Sequence, residues 1–314
     1  MTSSAAAAAA TAQLVAGRAL GWLDAAVEHF TLPEQVPPDQ VDADGKIKPL
    51  GELALVGSLV IREGAAGHRQ AHIAATLVEF AWRQLRGGEV LYELQRANPV
   101  TTYPMEVYAP FVRAGYHHRQ LAELLAHLGG LRAAQVAELM PNRALAVVNA
   151  NRTLGLPDRA DIATLTARTW LGGTPEPWAV DFLTLYAMTH TVFHLTDWGA
   201  HPSGLPNHVQ VYLHAWLPAW LEVYLEAGQW DLIAELLIVD LCLTEPDFYP
   251  QAWEYLAGAQ HADGLVPYGP VRVPREVAKA FRNHYHPTLV AAIAGTLAVS
   301  RRMTQATQVP SAAP

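Results

Sequence analysis

The sequence predicts an all-α protein, and three features of the chain support this fold class. Apolar residues recur at intervals of three and four, as at Leu20, Leu23, Val27 and Phe30, which is the spacing of one face of a helix. The two-residue alternation that marks a half-buried strand is almost absent. Stretches rich in glycine and proline, such as GGTPEPW and ADGLVPYGPVRVP, interrupt the helical pattern.

We expect roughly twelve helices followed by a final one. Their predicted ranges, in chain order, are 11–30, 49–62, 68–86, 89–97, 103–114, 117–128, 131–150, 160–171, 178–198, 205–227, 229–244, 249–261 and 286–302. The proline-rich stretch TLPEQVPPDQVDADGK separates the first two. Pro218 should kink or split its helix, because proline removes a hydrogen bond of the helix interior. Pro287 suits a first helical turn, which would place His286 at the start of the last helix.

The predicted helices are of two kinds, which indicates how they are arranged. The first kind is apolar around most of its circumference, as in LGELALVGSLVI, AVDFLTLYAMTHTVFHL, LIAELLIVDLCL and HPTLVAAIAGTLAV, whereas HRQLAELLAHL and AWEYLAGAQ are apolar on one face. A helix that is apolar all round is buried, and an amphipathic helix faces water. The alternation predicts an α/α toroid of about six inner and six outer helices around a central cavity. A helical-repeat solenoid is the alternative, since it also stacks helix pairs.

Composition restricts the class of protein and its partners. The chain has 314 residues, of which 51% are hydrophobic and 16% charged, as expected for a folded protein. We expect a single domain over residues 11–302, with disordered tails at 1–10 and 303–314. The net charge of −8, without a run of basic residues, argues against a nucleic-acid partner. A lone cysteine, Cys242, and the lack of a membrane-spanning stretch predict a cytoplasmic protein. The oligomeric state stays open.

The stretch THTVFHLTDWG, residues 189–199, contains a candidate metal site. His190, His194 and Asp197 are spaced by four and three residues. On a continuous helix their side chains would project within about 40° of one another. Two histidines one turn apart are a common way for a helix to bind zinc, and Asp197 could be a third ligand or orient an imidazole. The alternative is that these are core residues hydrogen-bonded to neighbouring carbonyls.

Three short motifs near the C-terminus are similar to those of one enzyme family. YHPTLVAAIAGTLA at 285–298 looks like the start of an inner helix, VDLCLT at 239–244 contains an Asp-x-Cys arrangement, and YLAGAQHADGLVPYG lies between them. The chain here resembles α/α-toroid proteins of the protein-prenyltransferase β-subunit and terpene-cyclase type. In the prenyltransferases the Asp, the Cys and a later His bind zinc. The resemblance therefore implies Asp240, Cys242 and His286 as zinc ligands.

Two classes of function follow. The first is an enzyme that acts on an apolar or isoprenoid-like small molecule in secondary metabolism, as a transferase, cyclase or lyase. Its ligands to zinc or another divalent metal would come from His190, His194, Asp197, Asp240, Cys242 and His286. Asp197, Asp240 and His286 would be its catalytic residues, with carboxylates as acid or base in a metal-free version. A sugar-processing α/α barrel with two carboxylates is a variant. The second class is a non-catalytic helical scaffold that binds a peptide or protein partner.

Overall fold

The structure is a computed structural model, and it describes residues 2–33, 37, 42–157 and 160–308. These residues form fourteen α-helices and no β-strand, which confirms the all-α class. The helices are α1 Thr2–Ala25, α2 Lys48–Glu63, α3 His68–Gln84, α4 Glu89–Ala97, α5 Tyr103–Arg113, α6 Arg119–Gly129, α7 Arg132–Gln135, α8 Pro141–Leu154, α9 Ile162–Ala167, α10 Phe182–Thr196, α11 Asn207–Glu226, α12 Trp230–Leu241, α13 Pro250–Ala259 and α14 Val277–Gln308. No helix in these parts of the chain is long and apolar enough to cross a membrane.

Six helices contact one another in a closed circuit, and we call them the ring helices. α2 packs against α5, α5 against α8, α8 against α10, α10 against α12, α12 against α14, and α14 against α2. The four helices that the sequence marks as apolar all round, α2, α10, α12 and α14, all belong to this circuit. The amphipathic α6 and α13 lie outside it. The finer prediction of an α/α toroid stays a prediction.

The ring helices all run in the same direction, as contacts between residues near their C-terminal ends show. We call this the carboxyl end of the ring and the opposite one the amino end. The contacts at the carboxyl end are Arg62 and Arg113 with Asp197, Arg113 with Thr153, Ser300 with Glu63, and Arg301 with the carbonyl of Leu243. At the amino end, Arg143 in the first turn of α8 pairs with Glu106 in the first turn of α5.

The first residues of the chain are helical, which corrects the predicted tail at residues 1–10. α1 begins at Thr2, and Ala8 and Ala12 in its alanine-rich first half are buried. Alanine has the highest helix propensity, and its small side chain lets α1 pack closely on α14. Helix α14 in turn extends to Gln308 in the predicted C-terminal tail, 303–314, while residues 309–314 lie outside the described residues.

Proline placement accounts for three differences from the predicted helices. α14 begins at Val277, so Pro287 and His286 lie in its interior and not at its start. Proline removes one hydrogen bond there, and the packing of α14 against α1, α2 and α12 outweighs that loss. Pro218 likewise lies within a continuous α11. The predicted helix 131–150 is instead two helices, because Pro141 begins α8 and its predecessor Met140 is extended.

Candidate functional site

Three titratable side chains from two ring helices meet at one point, and we call them the carboxylate–imidazole cluster. Asp231 and Glu235 are four residues apart on α12 and therefore share a face of that helix. His286 reaches them from α14, with Nε2 at 3.8 Å from Asp231 Oδ1 and 3.9 Å from Glu235 Oε1. One donor atom from each residue lies within 4.8 Å of the other two. Asp231 is in the first turn of α12, where the helix dipole favours a negative charge.

Two further ring helices bring a side chain into contact with the cluster. Glu52 of α2 places Oε1 at 3.1 Å from His286 Nδ1. His190 of α10 places Nε2 at 3.6 Å from Glu235 Oε1. The Nε2 atoms of His190 and His286 are thus at most about 7.5 Å apart, since both contact the same oxygen at 3.6 and 3.9 Å. Side chains from four consecutive ring helices therefore converge on the inner side of the ring.

Hydroxyl groups hold the outer oxygens of both carboxylates. Tyr186 donates a hydrogen bond to Asp231 Oδ2, and Thr189 donates one to Glu235 Oε2. Asp231 Oδ1, in contrast, is buried and accepts no hydrogen bond. A buried polar atom without a partner costs roughly 1–3 kcal/mol. The cluster thus keeps one carboxylate oxygen unsatisfied and directed at His286.

The charges of the cluster are coupled. Burial alone would lower the pKa of His286, but the neighbouring Glu52 and Asp231 carboxylates raise it well above its usual value. For Glu235, burial would raise the pKa, but the imidazoles of His190 and His286 hold it below the ordinary value. The pKa of Asp231 is raised, first by burial and then by the charge of Glu235, although His286 opposes this. Asp231 is therefore the first carboxyl of the coupled pair to accept a proton.

Solvent reaches the imidazoles but not the carboxylates. Asp231 and Glu235 each expose 2% of their side chains. His286 exposes 31% and His190 exposes 42%. The two histidines therefore lie between the buried acids and solvent.

His190 and His194 lie one turn apart as predicted, but only His190 contacts the cluster. Their ring centroids are 6.2 Å apart. Burial, followed by the charges of His190 and Arg143, lowers the pKa of His194 to about 3. His194 is therefore a neutral side chain beside the cluster.

Asp197 does not share the face of His190 and His194. The helix ends at Thr196, and Asp197 follows in the left-handed conformation with φ of 46°. Its carboxylate accepts from Arg113 at 2.5 Å and lies 3.4 Å from Arg62. The prediction of a common face assumed a continuous helix, and the reversal at Asp197 turns this side chain towards the two arginines at the carboxyl end of the ring.

Asp240 and Cys242 also lie apart from His286. Asp240 accepts hydrogen bonds from the backbone N–H groups of Asp247 and Phe248, each at 2.9 Å, and thereby fixes the turn after α12. Cys242 is fully buried, and burial raises the pKa of its thiol to about 12. Among the described residues, Asp231, Glu235 and His286 form the one group of three or more ligand side chains close enough to hold an ion. The resemblance implied a different set, which the structure does not bring together.

Sequence reasoning missed Asp231, Glu235 and Glu52. The signal for the first two is the segment WDLIAELL, in which two acids four residues apart occur on an otherwise apolar helix. Acids at this spacing usually belong to a solvated face. The apolar surroundings are the feature that marks them as buried, because charges are costly to bury without partners. Nothing near Glu52 in the sequence indicates that it contacts His286.

A small cavity lies elsewhere in the molecule. It is a cavity of about 30 Å³ between α1, the turn before α3 and α14. Gln13, Gly67, Gln70 and Thr296 contribute to its lining, and no titratable side chain does. We therefore assign chemistry to the carboxylate–imidazole cluster.

Fold and cluster together define the class of this molecule: an all-α protein with a carboxylate–imidazole site between its ring helices. The chain belongs to the family described as a domain of unknown function (DUF6895), whose sequence profile matches residues 16–296. This match includes every residue of the cluster. No curated protein and no solved structure matches the chain.

Proposed function

We propose that the protein is an enzyme whose active site is the carboxylate–imidazole cluster with Glu52 and His190. The observation that carries this proposal is the contrast between two almost fully buried carboxylates and two partly accessible imidazoles in contact with them. Burying carboxylates is costly, and replacing such groups with apolar ones often stabilises a fold. Their position beside accessible histidines supports a role in chemistry.

The arrangement suits proton transfer to or from a bound molecule. A carboxylate and an imidazole less than 4 Å apart can hold a proton between them and pass it to a substrate at the exposed imidazole. Tyr186 and Thr189 fix the carboxylates from behind, so the geometry is set before a substrate arrives. Acid–base or metal-assisted catalysis in a transferase, cyclase or lyase is the class of reaction that we propose.

The substrate that we propose is a small molecule with an apolar portion. Phe182 and Tyr186, on the first turns of α10, pack edge to face at 4.8 Å and lead towards the cluster. Further apolar side chains are exposed at or just before the starts of four ring helices, namely Val100, Val136, Met140, Trp178, Leu183 and Val271. An apolar amino end suits an apolar ligand. An isoprenoid-like substrate in secondary metabolism rests on the resemblance of the C-terminal motifs, and a cytoplasmic location rests on the lone free thiol of Cys242.

The test is consumption of a small molecule by the purified protein. A fractionated metabolite extract is incubated with wild type, with Glu235→Gln and with the double variant His68→Gln/His72→Gln, and is followed by mass spectrometry. The double variant is the matched control, because it changes two exposed histidines four residues apart on α3. We expect a compound that wild type and the control consume and that Glu235→Gln leaves at least about 100-fold less converted.

Conversion that persists in Glu235→Gln would place the reaction elsewhere. If folded wild type converts no compound in extracts from its own source, the enzyme proposal fails. Before the assay, the helical signal in circular dichroism and its loss on heating show that each variant is folded.

The exposed apolar side chains favour one second candidate, a scaffold that binds a protein partner. Leu131, Val136, Leu139 and Met140 are all exposed within ten residues around α7. Apolar residues grouped on a surface mark interaction sites. A variant with Val136→Ser and Met140→Ser would then lose the partner in a pull-down, whereas Glu235→Gln would keep it. The enzyme proposal expects no partner that depends on these two residues.

A further inference from the structure

We propose that Asp231 Oδ1, Glu235 Oε1 and His286 Nε2 bind a divalent transition-metal ion, with Zn²⁺ as the reference ion. The inference concerns the same cluster and so rests on the proposed active site, to which it adds a specific ion and specific ligand atoms. It also differs from the set Asp240, Cys242 and His286, which the resemblance implied.

Distances within the cluster suit a metal with three protein ligands. Zinc binds carboxylate oxygen and imidazole nitrogen at about 2.0–2.2 Å, which in a tetrahedral site puts ligand atoms about 3.4 Å apart. His286 Nε2 is 3.8 Å from Asp231 Oδ1 and 3.9 Å from Glu235 Oε1. These two distances have to shorten by about half an ångström, and the third, between the carboxylate oxygens of Asp231 and Glu235, lies within 4.8 Å and has to reach the same value through side-chain rotation. A fourth position would remain for water or substrate.

The atoms of each ligand that face away from the metal position all have their own neighbours. Tyr186 donates to Asp231 Oδ2, and Thr189 donates to Glu235 Oε2. Glu52 Oε1 lies 3.1 Å from His286 Nδ1. Protein metal sites typically use such outer contacts to orient their ligands, and a carboxylate behind a metal-bound histidine is a frequent one. Of the inward atoms, Asp231 Oδ1 is buried and accepts no hydrogen bond.

The unsatisfied Asp231 Oδ1 is an independent observation that points to a cation as ligand. It is buried, accepts no hydrogen bond and faces His286 Nε2. The basic groups around the three carboxylates are His286, His190 and Lys48, whose Nζ lies 3.8 Å from Glu52 Oε1. Lys48 pairs with Glu52 and not with the two carboxylates of α12. A divalent ion would satisfy Oδ1 and offset the repulsion between Asp231 and Glu235, since two carboxylates that share a site repel one another.

Donor chemistry selects the class of ion. One imidazole with two carboxylates suits zinc and similar first-row metals, while magnesium and calcium prefer oxygen ligands alone. His190 Nε2 lies 3.6 Å from Glu235 Oε1 and is the most accessible of these side chains. It is therefore placed to contact a water or substrate in the open coordination position.

The experiment measures Zn²⁺ binding to the full chain after removal of metal with EDTA. Isothermal titration calorimetry is performed on wild type, Asp231→Asn, Glu52→Gln and the control His68→Gln/His72→Gln. We expect one equivalent of Zn²⁺ in wild type and in the control. Glu52→Gln should bind about 10- to 100-fold more weakly, as is typical for an outer contact, and Asp231→Asn more weakly still. Co²⁺ should give the strong visible absorption of a four-coordinate site in wild type and in the control, and not in Asp231→Asn.

Three results would overturn the metal site. These are no saturable binding of Zn²⁺ or Co²⁺, binding that Asp231→Asn leaves unchanged, and binding that the histidine control abolishes. If metal does not bind but the metal-free protein still converts its substrate and Glu235→Gln does not, the metal inference fails while the enzyme proposal stands. Stoichiometric binding without turnover would support the metal site and count against the enzyme proposal. Glu52→Gln keeps the test decisive should Asp231→Asn not fold.

Discussion

Replacing Asp197 with asparagine tests whether this residue stabilises the fold or belongs to the active site. Asparagine keeps the shape of the side chain and is one of the few residues that adopt a positive φ readily, so the 46° backbone angle is preserved. The substitution removes only the negative charge. The carboxylate now pairs with Arg113 at 2.5 Å and Arg62 at 3.4 Å.

The expected cost follows from the burial of this ion-pair cluster. The side chains of Asp197, Arg62 and Arg113 expose 13%, 19% and 11% of their surface. Removing one partner of a buried pair costs about 3–5 kcal/mol, because a charge is left uncompensated. Asparagine can still accept one hydrogen bond, and Arg62 keeps its bonds to the Glu63 carboxylate and the Trp198 carbonyl. We therefore expect a loss of about 2–4 kcal/mol in the free energy of unfolding.

Urea denaturation followed by circular dichroism measures this loss. Glu123→Gln is the matched control, because Glu123 pairs with Arg119 at 2.8 Å on the surface of α6, where the side chains expose 61% and 88%. An exposed pair contributes at most about 1 kcal/mol. The control should therefore be close to wild type.

A small effect at Asp197 would refute the reasoning. If Asp197→Asn loses no more stability than Glu123→Gln, the ion pairs at the carboxyl end do not stabilise the ring. If it lowers Zn²⁺ affinity while leaving stability intact, Asp197 acts with the cluster, as the sequence pattern first predicted. We expect its Zn²⁺ affinity to equal that of wild type.

Three more predictions concern stability, pH and reactivity. Gly295→Ala should destabilise by about 1–3 kcal/mol, because its Cβ would lie 2.3 Å from the Ala12 carbonyl oxygen, whereas Gly21→Ala, with no atom within 4 Å, should stabilise by up to about 1 kcal/mol; urea denaturation that gives the same sign for both would contradict this. Burial raises the pKa of Asp240 from 3.8 to about 7, so its protonated form is favoured in the fold and its own contribution to the free energy of unfolding should fall by about 4 kcal/mol as pH rises from 4 to 8, while His194, with a pKa lowered to about 3, contributes in the opposite direction. Denaturation at both pH values should show that wild type loses about 4 kcal/mol relative to Asp240→Asn over this range, and equal slopes in the two proteins would exclude the shift. Cys242 should resist iodoacetamide until urea unfolds the protein, and rapid labelling of the native state would contradict its burial.

Hydrophobic periodicity was sufficient to predict most of the helices and which of them are buried. α2, α10, α12 and α14 are apolar all round in the sequence and are ring helices in the structure. This succeeds because a helix buried between neighbours on all sides has no polar face to retain. The structure of the chain termini was less predictable, because composition alone does not distinguish an alanine-rich helix such as α1 from a disordered segment.

The candidate site was predictable in part. His190 and His286 were identified from local patterns, and both contact Glu235. Asp231 was missed because its significance depends on which helix lies opposite, and spacing along one helix carries no such information. Asp197 was misplaced because one residue in the left-handed conformation changes the direction of its side chain, and a helical projection assumes that no such residue occurs.

Closure of the circuit between α14 and α2 affects the order in which the protein folds. Glu52 and His286, whose side chains meet across that closure, are separated by more than two hundred residues of sequence. Contacts this distant along the chain carry a large loop-closure entropy and form late in folding. A chain emerging from the ribosome therefore has no complete cluster until α14 has been made and has docked. If the cluster is the active site that we propose, activity should appear in a single step at the end of folding, and partly folded molecules should be inactive.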